Sequence, residues 1–187
     1  MHSVRVAGDR EALVARVRTK DGALGYGFTL NDDAGMARDM AAWDALSRAK
    51  AVPLFALLGG RHRTAVKVEE DGNPAIAPDW TALRKGILQN RFDLLRIDPF
   101  AWGSVEQVCT IAAAANAFDL GIALLAPNGH PWELQYCAAL AATVRGDDTR
   151  VIVRSSSGGK AIGIKANAGV GIDWSIEPAF DRIQWQG

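Results

Sequence analysis

Alternating apolar and polar positions mark the beginning of the chain. The stretch ALVARVRTKDGALGYGFTL, residues 12–30, alternates on both sides of a Lys-Asp-Gly turn. This pattern is typical of a β-hairpin whose turn contains a residue with positive φ, here Gly22. The N-terminal structure is therefore predicted to be a hairpin.

The spacing of apolar residues changes after the hairpin. Met36, Met40, Trp43 and Leu46 follow one another at intervals of three or four residues. Such intervals predict an amphipathic helix that packs through these four side chains. The helix is predicted to end before Pro53.

From residue 65 onward, short apolar strands alternate with helical patterns. The predicted strands lie near residues 66–70, 93–98, 121–126 and 150–154. This alternation predicts parallel βα units whose helices cover the sheet. We therefore expect an α/β fold, with a β-hairpin in residues 1–33 and a partial (β/α) barrel of about four βα units in residues 34–187. The two parts are expected to form one compact unit.

Composition and charge narrow the range of partners. The chain has 187 residues, of which 49% are hydrophobic, enough to build a core. Its 21 basic and 21 acidic residues balance, so no overall field attracts nucleic acid or an anionic membrane. No apolar run approaches the roughly 18 residues of a membrane span. We expect a cytoplasmic protein with neither nucleic acid nor membrane as a partner.

The two cysteines, Cys109 and Cys137, lie in alanine-rich apolar stretches. A small thiol in such surroundings packs like a hydrophobic side chain. Both are therefore expected to be reduced and structural.

Three consecutive acids end the first predicted strand of the barrel. Glu69, Glu70 and Asp71 lie in AVKVEEDGNP, at the carboxyl end of a strand, where α/β folds commonly place their chemistry. Each acid could be solvated or could bind a metal. If Glu70 faces the barrel mouth, the two-residue alternation places Lys67 and Glu69 on the other face.

Asp98 and His130 follow the next two predicted strands. An imidazole can accept a proton near neutral pH, and a carboxylate bonded to its other nitrogen raises its basicity. Structural roles are equally open: His130 could cap the helix that begins at Pro131, and Asp98 could bind nearby backbone amides in a turn. Arg96 shares the face of Asp98, where it could pair with Asp98 or fill space.

Several stretches resemble one protein family. DMAAWDALSRAKAVPLFALLGG resembles the helix that leads into the barrel of the mandelate racemase and muconate lactonizing enzyme group of the enolase superfamily. LLRIDPFAWGSVEQV is similar to the sixth unit of that barrel, GIALLAPNGHPWELQYCAALAAT to the seventh, and AGVGIDW to the C-terminal tail. The hairpin resembles the start of the capping domain. A complete barrel needs roughly 250 residues, so the resemblance implies an internal deletion of the second to fourth units.

The resemblance also implies a chemistry. The family removes the proton α to a carboxylate, and Mg²⁺ held by three acids stabilises the enediolate. By this resemblance Glu70 is a metal ligand for Mg²⁺, and Asp98 and His130 are the catalytic dyad. The strands for the other two ligands and for the Lys-x-Lys base are missing, and Lys67 matches that base only superficially. Arg154 and serines occupy the eighth strand, where the family has an acid.

Two functions remain open from the sequence. The first is a Mg²⁺-dependent racemase or dehydratase, an isomerase or lyase that acts on a hydroxy acid or acid sugar. The second is a catalytically degenerate binding or oligomerisation module. A partial barrel also leaves two strand edges unpaired, which predicts a homo-oligomer such as a dimer in which two half-barrels share a core.

Overall fold

A computed structural model describes residues 1–6, 10–70, 74–146, 150–155 and 159–185. In its N-terminal sheet, β1 (His2–Val6) and β3 (Leu24–Thr29) each pair antiparallel with β2 (Arg10–Arg18). Gly22 has φ 90° in the turn between β2 and β3, which confirms the predicted hairpin. The sequence pattern did not predict β1.

The rest of the chain alternates helices and strands, as predicted. The elements are α1 (Ala34–Ala49), α2 (Leu54–Leu57), β4 (Ala65–Val66), β5 (Val68–Glu70), α3 (Trp80–Leu88), β6 (Leu94–Ile97), α4 (Val105–Ala117), β7 (Gly121–Ala126), α5 (Pro131–Ala141), β8 (Val151–Ser155), β9 (Ile162–Gly163) and α6 (Pro178–Asp181). A 3₁₀ helix spans Trp174–Ile176.

Helix α1 packs directly against β3. A Cβ atom at Gly25 would lie 2.1 Å from the amide nitrogen of Ala45, and one at Gly27 would lie 2.1 Å from the carbonyl oxygen of Ala37. The helix therefore approaches the strand backbone through its alanines. The predicted stripe is wrong at Leu46, which is 39% exposed.

Four parallel strands form the main sheet, in the order β5-β8-β7-β6. The predicted first strand is split between β5 and the short β4, which pairs antiparallel with β9. The α/β class and a partial barrel of four parallel strands are consistent with this arrangement, within the part of the chain that the structure describes.

The two sides of the parallel sheet differ. Val68, Leu95, Leu124 and Val153 belong to one apolar cluster that also contains residues of α3, α4 and α5. By alternation, the opposite side carries a second set of residues. This set includes Lys67, Glu69, Leu94, Arg96, Gly121, Ala123, Leu125, Ile152 and Arg154.

The N-terminal sheet shares the same core. Phe28 of β3 belongs to the apolar cluster of the parallel sheet, and its ring lies 5.2 Å from that of Trp132. One core therefore spans both parts.

A buried carboxylate fastens the C-terminal part to this core. Asp44 is fully buried in α1, and its oxygens accept hydrogen bonds from the amides of Tyr26 and Val170, each at 2.9 Å. Arg48 forms an ion pair with it at 2.7 Å. Asp44 thus connects β3, α1 and the segment before the 3₁₀ helix.

The structure also describes the two cysteines and the lengths of the apolar helices. Cys137 is buried as expected, whereas Cys109 is half-buried, and both are free thiols. Among the described residues, no helix has the length and apolarity needed to span a membrane.

Candidate functional site

The three residues singled out in the sequence lie at one edge of the parallel sheet. Glu70 ends β5, Asp98 directly follows β6, and His130 lies in the connection from β7 to α5. Because parallel strands end at the same edge, the fold brings these residues to the carboxyl edge of the sheet.

Glu70 is exposed at this edge. It aligns with Ser155 of β8 and continues the side of Val68, which faces the helices. Asp98 continues the side of Arg96, the opposite one. Glu70 and Asp98 therefore leave the sheet on different sides.

The neighbouring acid Glu69 lies on the side of Arg96. Its carboxylate is 2.7 Å from Lys67 Nζ and 3.1 Å from Arg154. Lys67 and Glu69 thus share a face, as the alternation predicted, and Glu69 is held between two cations. Asp71 lies outside the described residues.

Asp98 has the turn-forming role that the sequence left open. One carboxylate oxygen accepts hydrogen bonds from the amides of Phe100 at 2.9 Å and Ala101 at 3.4 Å. Burial raises the pKa of the Asp98 carboxyl, and the two amide hydrogen bonds act against this rise.

His130 caps α5, which was its second open role. Nδ1 accepts a hydrogen bond from the Trp132 amide at 3.2 Å, and Glu133 accepts one from the His130 amide at 3.3 Å. His130 and Glu133, at the third helical position, also form a reciprocal capping box at the start of the helix. The cap fixes one ring nitrogen as an acceptor.

The other ring nitrogen of His130 contacts a carboxylate from the C-terminal part. Nε2 lies 2.8 Å from Oε1 of Glu177, and both side chains are buried. The carboxylate bonded to the ring is therefore Glu177, whereas the sequence predicted Asp98. Nothing in the tail SIEPAF indicates this contact, because only the tertiary fold brings residue 177 to residue 130.

These contacts determine the protonation of His130. With Nδ1 accepting, the ring proton is assigned to Nε2, which donates to Glu177. Burial lowers the pKa of His130, and Glu177 opposes this effect. The ring is therefore neutral near pH 7, and both of its nitrogens are engaged.

The N-terminal sheet also reaches this edge. Arg10, the first residue of β2, donates to the Asn128 side chain. Asn128 in turn donates to the Glu133 carboxylate from its backbone at 2.9 Å and from its side chain at 2.8 Å. Burial raises the pKa of Glu133, whereas its hydrogen bonds lower it. The connection after β7 is thereby held in place from two sides.

The described acids do not fit a magnesium site. Mg²⁺ requires near-octahedral oxygen coordination, usually with one or two carboxylates and several waters. Glu69 is paired with Lys67 and Arg154, and Asp98 binds two amides. Within the part of the chain that the structure describes, no three His, Cys, Asp or Glu residues are grouped to hold a metal.

Comparison with known proteins gives a fold but no sequence relative. No protein-family model matches the chain, and no curated protein matches it. The fold is similar to that of a racemase from Streptomyces coelicolor A3(2) with bound magnesium, with a TM-score of 0.72 and 12% identity over 97% of this chain and 98% of that one.

Two further solved structures agree. A protein assigned to the mandelate racemase/muconate lactonizing enzyme group, from Roseovarius nubinhibens ISM and complexed with magnesium, has a TM-score of 0.69 and 12% identity over 92% of this chain and 93% of that one. An enolase from Pseudomonas fluorescens Pf0-1 with bound magnesium, potassium and tartrate has a TM-score of 0.67 and 13% identity over 88% and 83% of the two chains. At these identities the similarity shows the fold alone, a fold shared with proteins of the group that the sequence resemblance named.

Proposed function

We propose that this protein is a catalytically degenerate enolase-superfamily fold that acts as a binding or oligomerisation module. The fold likeness suggests the ancestry. The engagement of the candidate catalytic residues in structural contacts favours the loss of turnover.

One observation carries this proposal, the state of His130. Its Nδ1 accepts the Trp132 amide and its Nε2 donates to Glu177. A general base needs a free lone pair within reach of the substrate proton. His130 can accept a proton at Nδ1 only by giving up the cap of α5, so the ring serves better as a structural group.

Small carboxylates or acid sugars are the ligand class that we propose for a binding function. Arg96 and Arg154 lie on the side of the sheet opposite the helices, near its carboxyl edge. A guanidinium group matches the geometry of a carboxylate through two parallel hydrogen bonds. Arg154 is paired with Glu69, but the three cations Lys67, Arg96 and Arg154 outnumber the two acids Glu69 and Asp98 on this side, so its charge suits an anionic ligand.

Racemase or dehydratase chemistry on a hydroxy acid or acid sugar is the second candidate. Asp98 and His130 follow the adjacent parallel strands β6 and β7, and two of the similar solved structures carry magnesium and are described as a racemase and a mandelate racemase-type protein. This candidate requires Mg²⁺, a requirement that the described residues do not meet, so we assign no catalytic steps.

Proton exchange separates the two candidates. The protein is incubated in D₂O with a panel of hydroxy acids and acid sugars, and loss of the α-proton signal is followed by NMR, with His130→Asn as the comparison. We expect no exchange above the protein-free rate. Exchange that depends on His130 would contradict the degenerate module and favour the second candidate.

Magnesium binding gives a test that needs no substrate. We expect calorimetric titration with Mg²⁺ to show no saturable heat in the parent protein. Saturable binding that is lost in Glu70→Gln, and kept in the matched variant Glu106→Gln at an exposed acid of α4, would instead establish Glu70 as a ligand. Binding that survives in both variants would leave Glu70 without a metal role.

A further inference from the structure

We propose that His130 and Glu177 form an acid-sensitive latch that fastens residues 174–185 to the rest of the molecule. This stretch, which we call the C-terminal segment, contains the 3₁₀ helix and α6. The proposal concerns regulation of the fold and does not depend on whether the protein is an enzyme.

The C-terminal segment lies against aromatic residues of the core and of the N-terminal sheet. The Trp174 ring lies 5.0 Å from that of Trp132, and the Phe180 ring lies 5.2 Å from that of Tyr26. These edge-to-face ring pairs add to the stabilisation that the segment gains from burial, and none of them titrates. The ring contacts therefore stabilise the closed segment in the same way at every pH.

The contact of Glu177 with His130 is different, because it is polar, buried and directional. The two side chains are 7% and 3% exposed, and the Nε2 to Oε1 distance is 2.8 Å. Phe28 and Trp132 flank the imidazole, with ring centroids 6.4 and 5.3 Å from its own. Opening the segment breaks this hydrogen bond and brings both groups toward water, so the pair favours the closed segment.

Acid acts on this pair through Nδ1. A second proton on the ring must bind there, where it would face the Trp132 amide hydrogen that Nδ1 now accepts. In the open state Glu177 no longer holds Nε2, so the ring can turn away from the Trp132 amide and accept a second proton in water. Protonation therefore favours the open state.

The other charged groups around the ring do not reverse this preference. Burial lowers the pKa of His130, Glu177 raises it through its hydrogen bond and its charge, and Arg10 of β2 lowers it. Glu133 of α5 accepts hydrogen bonds from the backbone amides of His130 and Asn128. The charge of Asp98, after β6, raises the pKa of Glu133. The pKa of His130 therefore lies below its ordinary value of 6.5 in the closed state.

The pH window follows from this direction. The closed state binds fewer protons than the open state, so closure is fully favoured above the ordinary histidine pKa and weakens as pH falls below it. If the open ring titrates at about 6.5, acidification to about pH 5.5 raises the open population by up to about tenfold.

Hydrogen exchange tests the latch. Amide protection factors of the C-terminal segment are measured by mass spectrometry at about pH 8 and about pH 5.5, on either side of the ordinary histidine pKa of about 6.5. We expect protection of this segment to fall by up to about tenfold in acid, while that of β7 and β8 stays constant. Equal protection at the two pH values would overturn the proposal.

Two variants assign the effect to one histidine. His130→Asn keeps a good helix cap but cannot titrate, so we expect its segment to show no difference between the two pH values. His2→Asn is the matched control, because the His2 ring also contacts this segment, 5.0 Å from Trp185. A pH response that persists in His130→Asn, or that disappears in His2→Asn, would show that the latch is not His130.

The tautomer gives an independent test on the unmodified protein. Imidazole ¹⁵N chemical shifts distinguish a protonated from an unprotonated ring nitrogen. We expect His130 to be protonated at Nε2 and unprotonated at Nδ1 above the transition. The opposite tautomer would contradict the arrangement on which the latch rests, even if a variant fails to fold.

Discussion

Asp44 is the residue on which the attachment of the C-terminal part most depends. Its carboxylate is fully buried and serves the amides of Tyr26 and Val170 as well as Arg48. Asp44→Ala leaves these donors unsatisfied, so we expect a loss of about 3 kcal/mol in unfolding free energy, measured by urea denaturation.

A matched acid shows whether this loss comes from burial. Asp33 is exposed and caps α1 by accepting from the amides of Gly35 and Met36 at 2.8 and 3.2 Å. Asp33→Ala should cost only about 1 kcal/mol, the usual value of a helix cap. Equal losses for the two variants would mean that the buried network of Asp44 contributes no more than a surface cap.

Removing the charge of Asp98, unlike removing Asp44 or Asp33, is expected not to destabilise the protein. Burial raises the pKa of its carboxyl, so the folded protein favours the protonated form of Asp98. The contribution of Asp98 to the free energy of unfolding therefore declines as pH rises from 3.8 through the raised pKa. Both of its amide hydrogen bonds reach one oxygen, which an asparagine can supply.

We therefore expect Asp98→Asn to be at least as stable as the parent at about pH 7, and Asp98→Ala to lose about 1 kcal/mol. Thermal unfolding at several pH values measures both. Destabilisation by asparagine above about pH 6 would indicate that the charge of Asp98 is needed by a neighbour.

The sequence predicted where Asp98 and His130 lie in the fold but not their hydrogen-bond partners. The strand pattern placed Asp98 and His130 at strand ends, and the proline at 131 indicated the helix that His130 caps. Hydrogen-bond partners depend on which segments the fold brings together. Glu177 therefore could not be chosen over Asp98 from the sequence alone.

At the scale of elements, the contact of α1 with β3 permits no side chain at two glycines. A Cβ at Gly27 would lie 2.1 Å from the Ala37 carbonyl oxygen. Neither atom can move away by a side-chain rotation, because the oxygen belongs to the backbone and a Cβ is bonded directly to it. Gly27→Ala should thus push the helix away and cost about 2–3 kcal/mol, measured by chemical denaturation.

Gly163 provides the control for this substitution. It also lies in a strand, β9, but a Cβ there meets no atom within 4 Å. Gly163→Ala is expected to be neutral or slightly stabilising, because alanine restricts the unfolded chain. Comparable destabilisation at the two sites would mean that the helix does not constrain Gly27.

The same contact explains an error in the predicted helix face. The three- and four-residue spacing of large apolar residues included Leu46, yet Ala37, Ala41 and Ala45 face the sheet. Large residues dominate a hydrophobic pattern, whereas close packing against glycines selects small ones. The alternating glycines of GYGF were the available signal for this geometry.

At the scale of the whole molecule, the open question is self-association. β5 and β6 are the outer strands of the parallel sheet in the described part of the chain, and outer strands promote association. Ala123, Leu125 and Ile152, on the side away from the helices, are already buried in a single chain. We therefore place the proposed contact at the strand edges, in preference to a core shared between half-barrels.

Light scattering coupled to size exclusion tests this expectation. We expect a particle of about twice the chain mass at micromolar concentration, consistent with the preference of homo-oligomers for two-fold symmetry. A mass of 20.0 kDa under these conditions would contradict it.

The overall architecture was the most predictable level. Four short apolar strands alternating with helices specify parallel units whatever the details of packing, and β7 has the predicted bounds, Gly121–Ala126. The strand order was not predictable, because pairing between distant strands depends on the assembled core. β5 thus lies beside β8, whereas the sequence places it next to β6.

That strand order constrains how the chain can fold as it is synthesised. Val68 of β5 is paired with Val153 of β8, so β5 cannot form this pairing until residues 151–155 have left the ribosome. The N-terminal sheet and α1, which contact one another locally, can form early. Pairing between distant segments slows folding, and nascent chains that stop before Val151 should expose β5 to chaperones and proteases.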